Sequence, residues 1–348
     1  MKKMVIFILI LMIYGVNLVF AVNLGTLTGI LKPNFLRING NGIFILEQAT
    51  IYIYSIKNLS LIRKFSRKGE GPGEIKISHF YSISMKLLPD HIFIDSVDKI
   101  LYFSKKGKLI EERKKPAGLV TQMLPVRKNF VVKDLDRSDR KTEHMTLSVY
   151  DSEMKKIKEL FRQKSPVQAR STVMIPDSLH FCICDNKIFV EKSTRGFFID
   201  VYNAKGKKLY QIEKKYEKVN VTNSDKEEVL RLYKADPLVK QIGYENLKNR
   251  IQFIYPDSYP AIQSINGFGE KIYVKTFKKQ DNKEEYVVMD LKGNVLRRIY
   301  MPRVEKAPLM ARLNGIDLQI YSIHKNKFYY LKENEDEEEW ELHVKEIE

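Results

Sequence analysis

One unit of short strands and tight turns recurs about six times along this chain of 348 residues. Its clearest copy runs from 187–191 through 198–203 to a Lys205-Gly206-Lys207 turn. Runs of β-branched and aromatic residues separated by turn residues are typical of an antiparallel meander. Four-stranded units that repeat at a fixed period indicate the blades of a β-propeller. The other copies begin near residues 35, 80, 119, 259 and 316.

The turn between the third and fourth strands of each copy tests whether the repeat keeps its phase. Alignment of these turns places Asn58, Gly107, Met154, Gly206 and Gly293 at equivalent positions, separated by 49, 47, 52 and 87 residues. The first three spacings suit a blade of roughly 40–50 residues. The last spacing requires an insertion between the fourth and fifth blades.

That insertion, residues 222–256, changes from strand to helix periodicity. Ser224 and Glu227 suggest a capping box, and the apolar residues that follow recur at helical spacing until Pro237 interrupts them. A second apolar face follows the proline, made by Tyr244, Leu247, Ile251 and Ile254. The pattern predicts two short helices inserted into a β array.

The last copy supplies only three strands before the chain ends. A β-compatible segment, residues 23–31, stands alone near the start. If it pairs as the outer strand of the last blade, the ring closes and no sheet edge is left open. The predicted fold is therefore all-β, a six-bladed β-propeller of four-stranded antiparallel blades closed by the N-terminal strand.

The first 21 residues have the layout of a secretory signal peptide: Met1-Lys2-Lys3, an apolar run over 4–20 and a small residue, Ala21. An uncleaved membrane anchor is the alternative, because the run approaches spanning length. With cleavage, we expect residues 22–348 to form one exported propeller domain, periplasmic or extracellular, with no transmembrane segment.

The chain is strongly basic, with a formal net charge of +17, although residues 333–348 hold nine acids and one lysine. Such a chain attracts anionic partners, so we expect a protein, an acidic glycan or an anionic envelope surface. Nucleic acid is disfavoured outside the cytoplasm, and a merely solvated lysine-rich surface is the alternative. Cys182 and Cys184 are too close in sequence on one strand to bridge each other and are expected to be core residues.

A glycine-rich loop stands between the first and second blades. It contains Gly69, Gly71, Pro72, Gly73 and Glu74, followed by Ile75. This loop and the blade strands resemble a bacterial secreted six-bladed β-propeller family, itself similar to NHL-repeat propellers. The loop occurs only once here, and Ile75 stands where that family usually has Phe. The resemblance implies a fold and an exported location, and we interpret the loop as a structural bend. No Lys-Ser/Thr follows it to support a phosphate-binding loop.

Nearly every long connection falls on the face that receives the inter-blade connections, where binding residues tend to gather. The second strand of each blade ends toward that face, and four of the six end residues are charged. These are the candidate ligand-binding residues: the anionic pair Asp95 and Glu191 and the cationic pair Lys133 and Lys275. Leu46 and Leu331 hold the other two positions. The alternative is a ring of solvated charges that neutralise one another.

No catalytic motif accompanies these residues. The six histidines are dispersed without metal-ligand spacing, so we expect no metal site. Any cofactor and any catalytic residues stay unknown from the sequence. No Gly-x-Ser-x-Gly sequence is present. We predict an exported binding or interaction scaffold in the cell envelope. The alternative is a hydrolase, lactonase or lyase at the channel mouth, with or without a divalent metal near Asp95 and Glu191.

Overall fold

The computed structural model describes residues 21–78, 83–115, 120–139, 142–193, 196–307, 309–313 and 318–347. Apart from Ala21, the predicted signal peptide (1–21) lies outside these residues, as do the predicted starts of three copies near 80, 119 and 316. The described residues form six four-stranded antiparallel sheets and one small three-stranded sheet. The six-bladed propeller predicted from the repeat is confirmed.

The first half of the chain contains a closing strand and three blades. After β1 (Val22–Leu27), blade 1 comprises β2 (Pro33–Asn39), β3 (Gly42–Glu47), β4 (Thr50–Ser55) and β5 (Leu61–Phe65); blade 2 comprises β6 (Ser84–Leu87), β7 (His91–Asp95), β8 (Lys99–Ser104) and β9 (Leu109–Lys114); and blade 3 comprises β10 (Val120–Val126), β11 (Asn129–Asp136), β12 (His144–Tyr150) and β13 (Lys156–Lys164).

The second half has the same blades but longer connections. After blade 3 come β14 (Val167–Gln168) and β15 (Ser171–Val173), and then blade 4 with β16 (Phe181–Cys184), β17 (Lys187–Glu191), β18 (Phe197–Asn203) and β19 (Lys208–Lys214). The insertion follows with α1 (Asn223–Ala235), α2 (Pro237–Ile242), α3 (Tyr244–Lys248) and β20 (Gln252–Ile254), and then blade 5 with β21 (Ser264–Phe268), β22 (Lys271–Gln280), β23 (Lys283–Asp290) and β24 (Val295–Pro302). The last elements are α4 (Leu309–Leu313) and blade 6 with β25 (Tyr321–His324), β26 (Lys327–Asn334) and β27 (Glu339–Glu346).

The N-terminal strand closes the ring. β1 pairs antiparallel with β27, from Val22 opposite Val344 to Leu27 opposite Trp340. The Trp340 indole Nε1 also donates to the Leu31 carbonyl at 2.9 Å. The closing strand predicted over 23–31 is therefore confirmed, although it ends at Leu27.

The third-to-fourth strand turns share one backbone conformation, with a correction in blade 1. A positive φ recurs at Gly107, Met154, Gly206 and Gly293, and in blade 1 it falls on Leu59 rather than the predicted Asn58. The blade 1 turn is one residue longer, since Ser55 and Ser60 close it by a backbone hydrogen bond. A Cβ at Gly293 would lie 2.6 Å from Ile212 of the preceding blade, so glycine also allows these two blades to meet.

The propeller core lies between neighbouring blades. Separate clusters of buried apolar residues join blades 1 and 2, 2 and 3, 3 and 4, and 4 and 5, and the largest joins blades 5, 6 and 1. This distribution follows from the alternation of buried side chains on strands that are covered on both faces. The blades therefore form one continuous ring.

Three inter-blade connections meet over one face of the ring and form a cap, which comprises 167–176, 222–255 and 309–313. Strand β15 pairs in parallel with β20, from Ser171 opposite Gln252 to Val173 opposite Ile254. A small apolar cluster holds the connections together: Met174, Tyr233, Val239, Leu309 and Leu313 are buried in it. The cap thus has its own core, separate from those of the blades.

The insertion differs in detail from its prediction. It has three helices rather than two, because α2 ends at Ile242 and Gly243, at φ 91°, separates it from α3. The capping box is Thr222 with Asp225 rather than Ser224 with Glu227: the Asp225 amide donates to Thr222 Oγ1 at 3.2 Å, and the Thr222 amide donates to Asp225 Oδ2 at 2.9 Å. Among the described residues, no helix is both long and apolar enough to cross a membrane.

Candidate binding site at the capped face

The four charged residues predicted at the strand ends are buried. Asp95 is 0% exposed, Lys133 3%, Glu191 2% and Lys275 5%. They are therefore not a solvated ring, and each charge has lost its water. Leu46 and Leu331 are buried at the same level of their blades. The burial makes the partners of each charged group the deciding feature.

Asp95, at the end of β7, is held by two contacts with residues that lie later in the sequence. Lys115 Nζ lies 2.7 Å from Asp95 Oδ1. The Met123 amide donates to Asp95 Oδ2 at 2.7 Å. Burial raises the pKa of Asp95, while Lys115 opposes the rise. These bonds connect blade 2 to the first strand of blade 3.

Lys275 is also paired within the protein. Its ammonium group forms an ion pair with Glu284 of the neighbouring strand, and Lys306 Nζ lies 3.1 Å from the other oxygen of that carboxylate. Burial would raise the pKa of Glu284, but the two lysines hold it below its ordinary value. Lys275 thus has one partner in its own blade, and Lys306 attaches the connection that leads to α4.

Lys133 and Glu191 lie near each other, with His180 beside them. Burial lowers the pKa of Lys133 to about 8, although Glu191 opposes this. Burial, with Asp177 adding to it, raises the pKa of Glu191 well above its usual range. The His180 amide donates to Glu191 Oε1 at 2.9 Å, whereas Glu191 Oε2 has no hydrogen-bond partner within the described part of the chain.

The channel end nearest the cap is a cavity of about 100 Å³. It is lined by Lys133, His180, Lys275, Lys306 and Tyr321, among others. Burial and the nearby Lys133 lower the pKa of His180 to about 3, so its ring is neutral at ordinary pH. The cavity places two of the predicted residues, both cations, beside one polar space under the cap.

A cleft of about 170 Å³ lies between the cap and the blades. Its apolar wall includes Val229 and Leu232 of α1 and Leu309 and Leu313 of α4. Its charged residues are Asp225, Glu228, Lys279, Arg303, Lys306 and Arg312. The cleft adjoins the channel cavity, since His180, Gln263 and Lys306 line both.

Two exposed cations of this cleft are available to a partner. Neither Lys279 nor Arg303 has a carboxylate within 4.0 Å among the residues that the structure describes. Glu228 interacts mainly with Arg231, whose side chain donates at 2.8 Å, and Arg303 and Lys279 only add to the lowering of its pKa. Sequence reasoning did not identify this cleft, because its walls come from three distant connections. The helical face of Val229 and Leu232 was the available signal.

The glycine-rich loop is held by bonds of its own. The Gly71 amide donates to Glu74 Oε2 at 2.9 Å. Lys99 Nζ of blade 2 donates to the Gly71 carbonyl at 2.6 Å. A Cβ at Gly69 would lie 2.0 Å from the Glu74 carboxylate, so that side chain would have to move, and Gly73 has φ 71°, which favours glycine. Pro72 lies between them, and the buried Ile75 that follows packs in the core between blades 1 and 2.

Within the described ranges, no group of three or more His, Cys, Asp or Glu residues is arranged to hold a metal ion. Cys182 and Cys184 are free and buried. Burial raises the pKa of both thiols. The two cysteines are thus protonated core residues, as their spacing predicts.

These features define a six-bladed β-propeller with a capped face. Residues 29–177, which include blades 1 to 3, match the sequence model of a family described as a 6-bladed beta-propeller. An inferred exported protein from Bacteroides fragilis NCTC 9343 has a similar structure, with a TM-score of 0.54, 14% identity and coverage of 94% of both chains. At this identity, the likeness establishes the fold alone.

A member of the DUF4221 family from Bacteroides vulgatus is also similar, with a TM-score of 0.46, 11% identity and coverage of 95% of this chain and 98% of that chain. No curated protein matches this chain in sequence.

Proposed function

We propose that the protein is an exported binding scaffold whose capped face captures an acidic protein segment in the cell envelope. The observation that carries this proposal is the cleft under the cap, where an apolar wall adjoins Lys279 and Arg303. Export is supported by the signal-like pattern over 1–21 and by the loop that resembles secreted, NHL-like propellers. The similar protein from Bacteroides fragilis, itself inferred to be exported, agrees with this location.

The charges of the cleft favour an anionic partner over a cationic one. An acidic segment gives Lys279 and Arg303 the carboxylates that they lack, while its apolar side chains cover Val229 and Leu232. Such complementarity speeds encounter and selects the partner. The basic chain, with its net charge of +17, extends the attraction beyond the cleft.

Charge-reversal substitutions test both which face binds the partner and which sign of charge the partner carries. We expect Lys279→Glu with Arg303→Glu to weaken binding of a labelled peptide of alternating Glu and Leu by more than about tenfold, a loss expected of two contact charges. The matched control is Lys106→Glu with Lys205→Glu, which changes the same charge on exposed turns of the opposite face. Fluorescence anisotropy measures both affinities.

The same experiment distinguishes the partner classes. We expect the peptide affinity to fall as salt rises from about 50 mM to about 500 mM, because exposed charge pairs are screened. Equal loss in the two double variants would show that only net charge matters. Preferential binding of polygalacturonate or of vesicles containing anionic lipid would favour a glycan or a membrane surface instead.

An enzyme is the second candidate, as a hydrolase, lactonase or lyase. The observation that favours it is the group of Lys133, His180 and Glu191, whose pKa values are all displaced by burial next to the channel cavity. A protonated Glu191 would serve as a general acid. Turnover of ester, lactone or uronate-glycan substrates that is lost in Glu191→Gln would support this candidate, and no turnover above background would oppose it.

A further inference from the structure

The opposite end of the central channel is a cavity of about 290 Å³, which shares Gln122, Phe181, Asn266 and Gln319 with the cavity nearest the cap. The first strands of all six blades, β2, β6, β10, β16, β21 and β25, contribute to its wall. The wall includes Asn39, Gly269 and His324, which lie at first-to-second strand turns. These turns are on the face opposite the cap. This cavity and the cap cleft have no lining residue in common.

Arg37 presents a guanidinium group to this cavity. Its Nη1 donates to the Leu36 carbonyl at 2.7 Å, and its Nη2 donates to the side chain of Gln319. The group lies 5.3 Å from the ring centre of Phe35 and 5.9 Å from that of Phe268. These contacts hold the guanidinium group in place. Its Nε–H makes no hydrogen bond to any residue that the structure describes.

Lys86 is the second cation of the cavity. Its ammonium group donates to the Pro125 carbonyl at 3.2 Å. No carboxylate lies within 4.0 Å of either Lys86 or Arg37 in the described part of the chain. The groups that act on Lys86 electrostatically are Arg37 and the thiols of Cys182 and Cys184. These thiols are neutral at ordinary pH, because burial raises their pKa.

Three buried lysines of the propeller differ from Lys86 in having a carboxylate partner, whereas the buried Lys133 has none within 4.0 Å among the described residues. Lys115 pairs with Asp95, Lys99 with Glu112, and Lys275 with Glu284. Buried charges in proteins are normally paired in this way. Two neighbouring cations without a carboxylate therefore leave an uncompensated positive field in the channel. Burial disfavours both charged forms, and it lowers the pKa of Lys86 to about 8 and that of Arg37 to about 10.

We propose that this end of the channel binds a small organic anion, a carboxylate, sulfate or phosphate carried on an apolar body. Lys86 and the free Nε–H of Arg37 bind the oxyanion, since a guanidinium group and an ammonium group both suit such oxygens. Met85, Leu124 and Ile183 contact the apolar body. The volume is near the lower end of the range for ligand pockets, roughly 300–1,000 Å³.

Calorimetric titration of the mature chain tests this site. The probes are benzoate, phenyl phosphate and phenyl sulfate, with neutral benzamide and inorganic sulfate as comparisons. We expect the organic anions to bind and benzamide not to bind, because only an anion relieves the two cations. Binding of benzamide as tight as that of benzoate would overturn the proposal. Binding of inorganic sulfate as tight as that of phenyl sulfate would overturn the claim that the site also recognises an apolar body.

Two variants and one control locate the binding. Lys86→Met keeps the apolar stem and should fold, and Arg37→Gln removes the second cation. Each should weaken benzoate binding by more than about tenfold, the effect expected of one buried charge contact. Lys106→Met, on an exposed turn that lines neither cavity, should leave benzoate binding unchanged. If Arg37→Gln does not fold, Lys86→Met alone decides, and its unchanged affinity would refute the site.

The pH dependence of benzoate binding distinguishes a direct role of the Lys86 charge from a purely structural role of its side chain. Benzoate affinity should fall from about pH 6.5 to about pH 9, as Lys86 loses its proton, and should stay nearly flat in Lys86→Met, because Arg37 titrates only near pH 10. The other titratable groups are Arg37, both thiols and His324, whose pKa is lowered by burial and by Lys325. None of them titrates near pH 8 in the required direction. A flat profile in the unaltered protein would contradict the role of Lys86.

Discussion

The blades bury their apolar residues between copies of one repeated unit, whereas the cap buries its own among three connections that are distant in sequence. The blade clusters continue around the ring, and four of the five have between 11 and 23 buried members, while the one between blades 2 and 3 has five. The cap cluster has only five buried members. A small core with many exposed neighbours opens at lower free energy than a large one. We therefore expect the cap to open at a lower free energy than the blades.

The two regions also differ in whether their charged side chains have ion-pair partners. Two buried acids of the blades are neutralised by lysines, Asp95 by Lys115 and Asp200 by Lys192 and Lys208, whereas the buried Glu191 has a raised pKa instead. In the cleft under the cap, Lys279 near the end of β22 and Arg303 just after β24 stay exposed and unpaired among the described residues. Paired charges fix the register of the blades, while unpaired ones are available to a partner.

Breaking a blade ion pair should have the largest effect. Asp95→Ala leaves Lys115 buried and unpaired, so we expect a loss of about 3–5 kcal/mol in the free energy of unfolding. Urea unfolding followed by circular dichroism measures it. The control is Glu153→Ala, which removes an exposed pair with Lys155 and should cost less than about 1 kcal/mol. Similar losses in the two variants would contradict the importance of burial.

Opening the cap core should come next. Tyr233→Ala removes a ring that lies 5.0 Å from Phe253, and we expect a local loss of about 3 kcal/mol. Hydrogen exchange should accelerate across 222–255 while the blade strands keep their protection. Loss of protection in the blades as well would show that cap and propeller unfold as one unit.

Removing the unpaired channel cation should stabilise the protein. We expect Lys86→Met to add about 1–2 kcal/mol at pH 7, because an uncompensated, half-buried charge is lost. The folded pKa of about 8 lies below the ordinary 10.5, so the unfolded chain holds more protons between these values. The stability of the unaltered protein therefore rises there, and the advantage of the variant should vanish by about pH 10.5. A constant advantage would refute this assignment.

Loss of the helix cap should have the smallest effect. Thr222→Ala removes the acceptor for the Asp225 amide and should cost about 1 kcal/mol within α1. Hydrogen exchange of the first turn of α1 checks this, with Ser224→Ala as the control. Equal effects of the two substitutions would contradict the assignment of the capping box to Thr222.

The repeat made the fold predictable, because strands of one period must form similar blades. The closing strand and the position of the insertion followed from counting strands and spacings. The assembly of the cap did not, since Met174, Tyr233 and Leu309 belong to connections that share no period. The partners of the site residues were also hidden. Lys115 and Lys306, which neutralise Asp95 and Glu284, lie outside the strands that carry those acids.

The channel cations did leave a signal. Arg37 stands between Leu36 and Ile38, and Lys86 between Met85 and Leu87, so each interrupts an apolar first strand. Because alternate residues of a strand point to opposite faces, such a charge points into the channel or into a core. Only the structure shows that the two lie in one cavity without a carboxylate.

The location of partner binding is the most direct test of the proposed binding face. Hydrogen exchange of residues 22–348 with and without the acidic Glu-Leu peptide compares residues 222–255 of the cap with the turns at Gly107 and Gly206 on the opposite face. We predict new protection in the cap and at the strand ends beside Lys279 and Arg303, and none at those turns. Protection confined to the opposite face, or none anywhere at a saturating peptide concentration, would contradict the account.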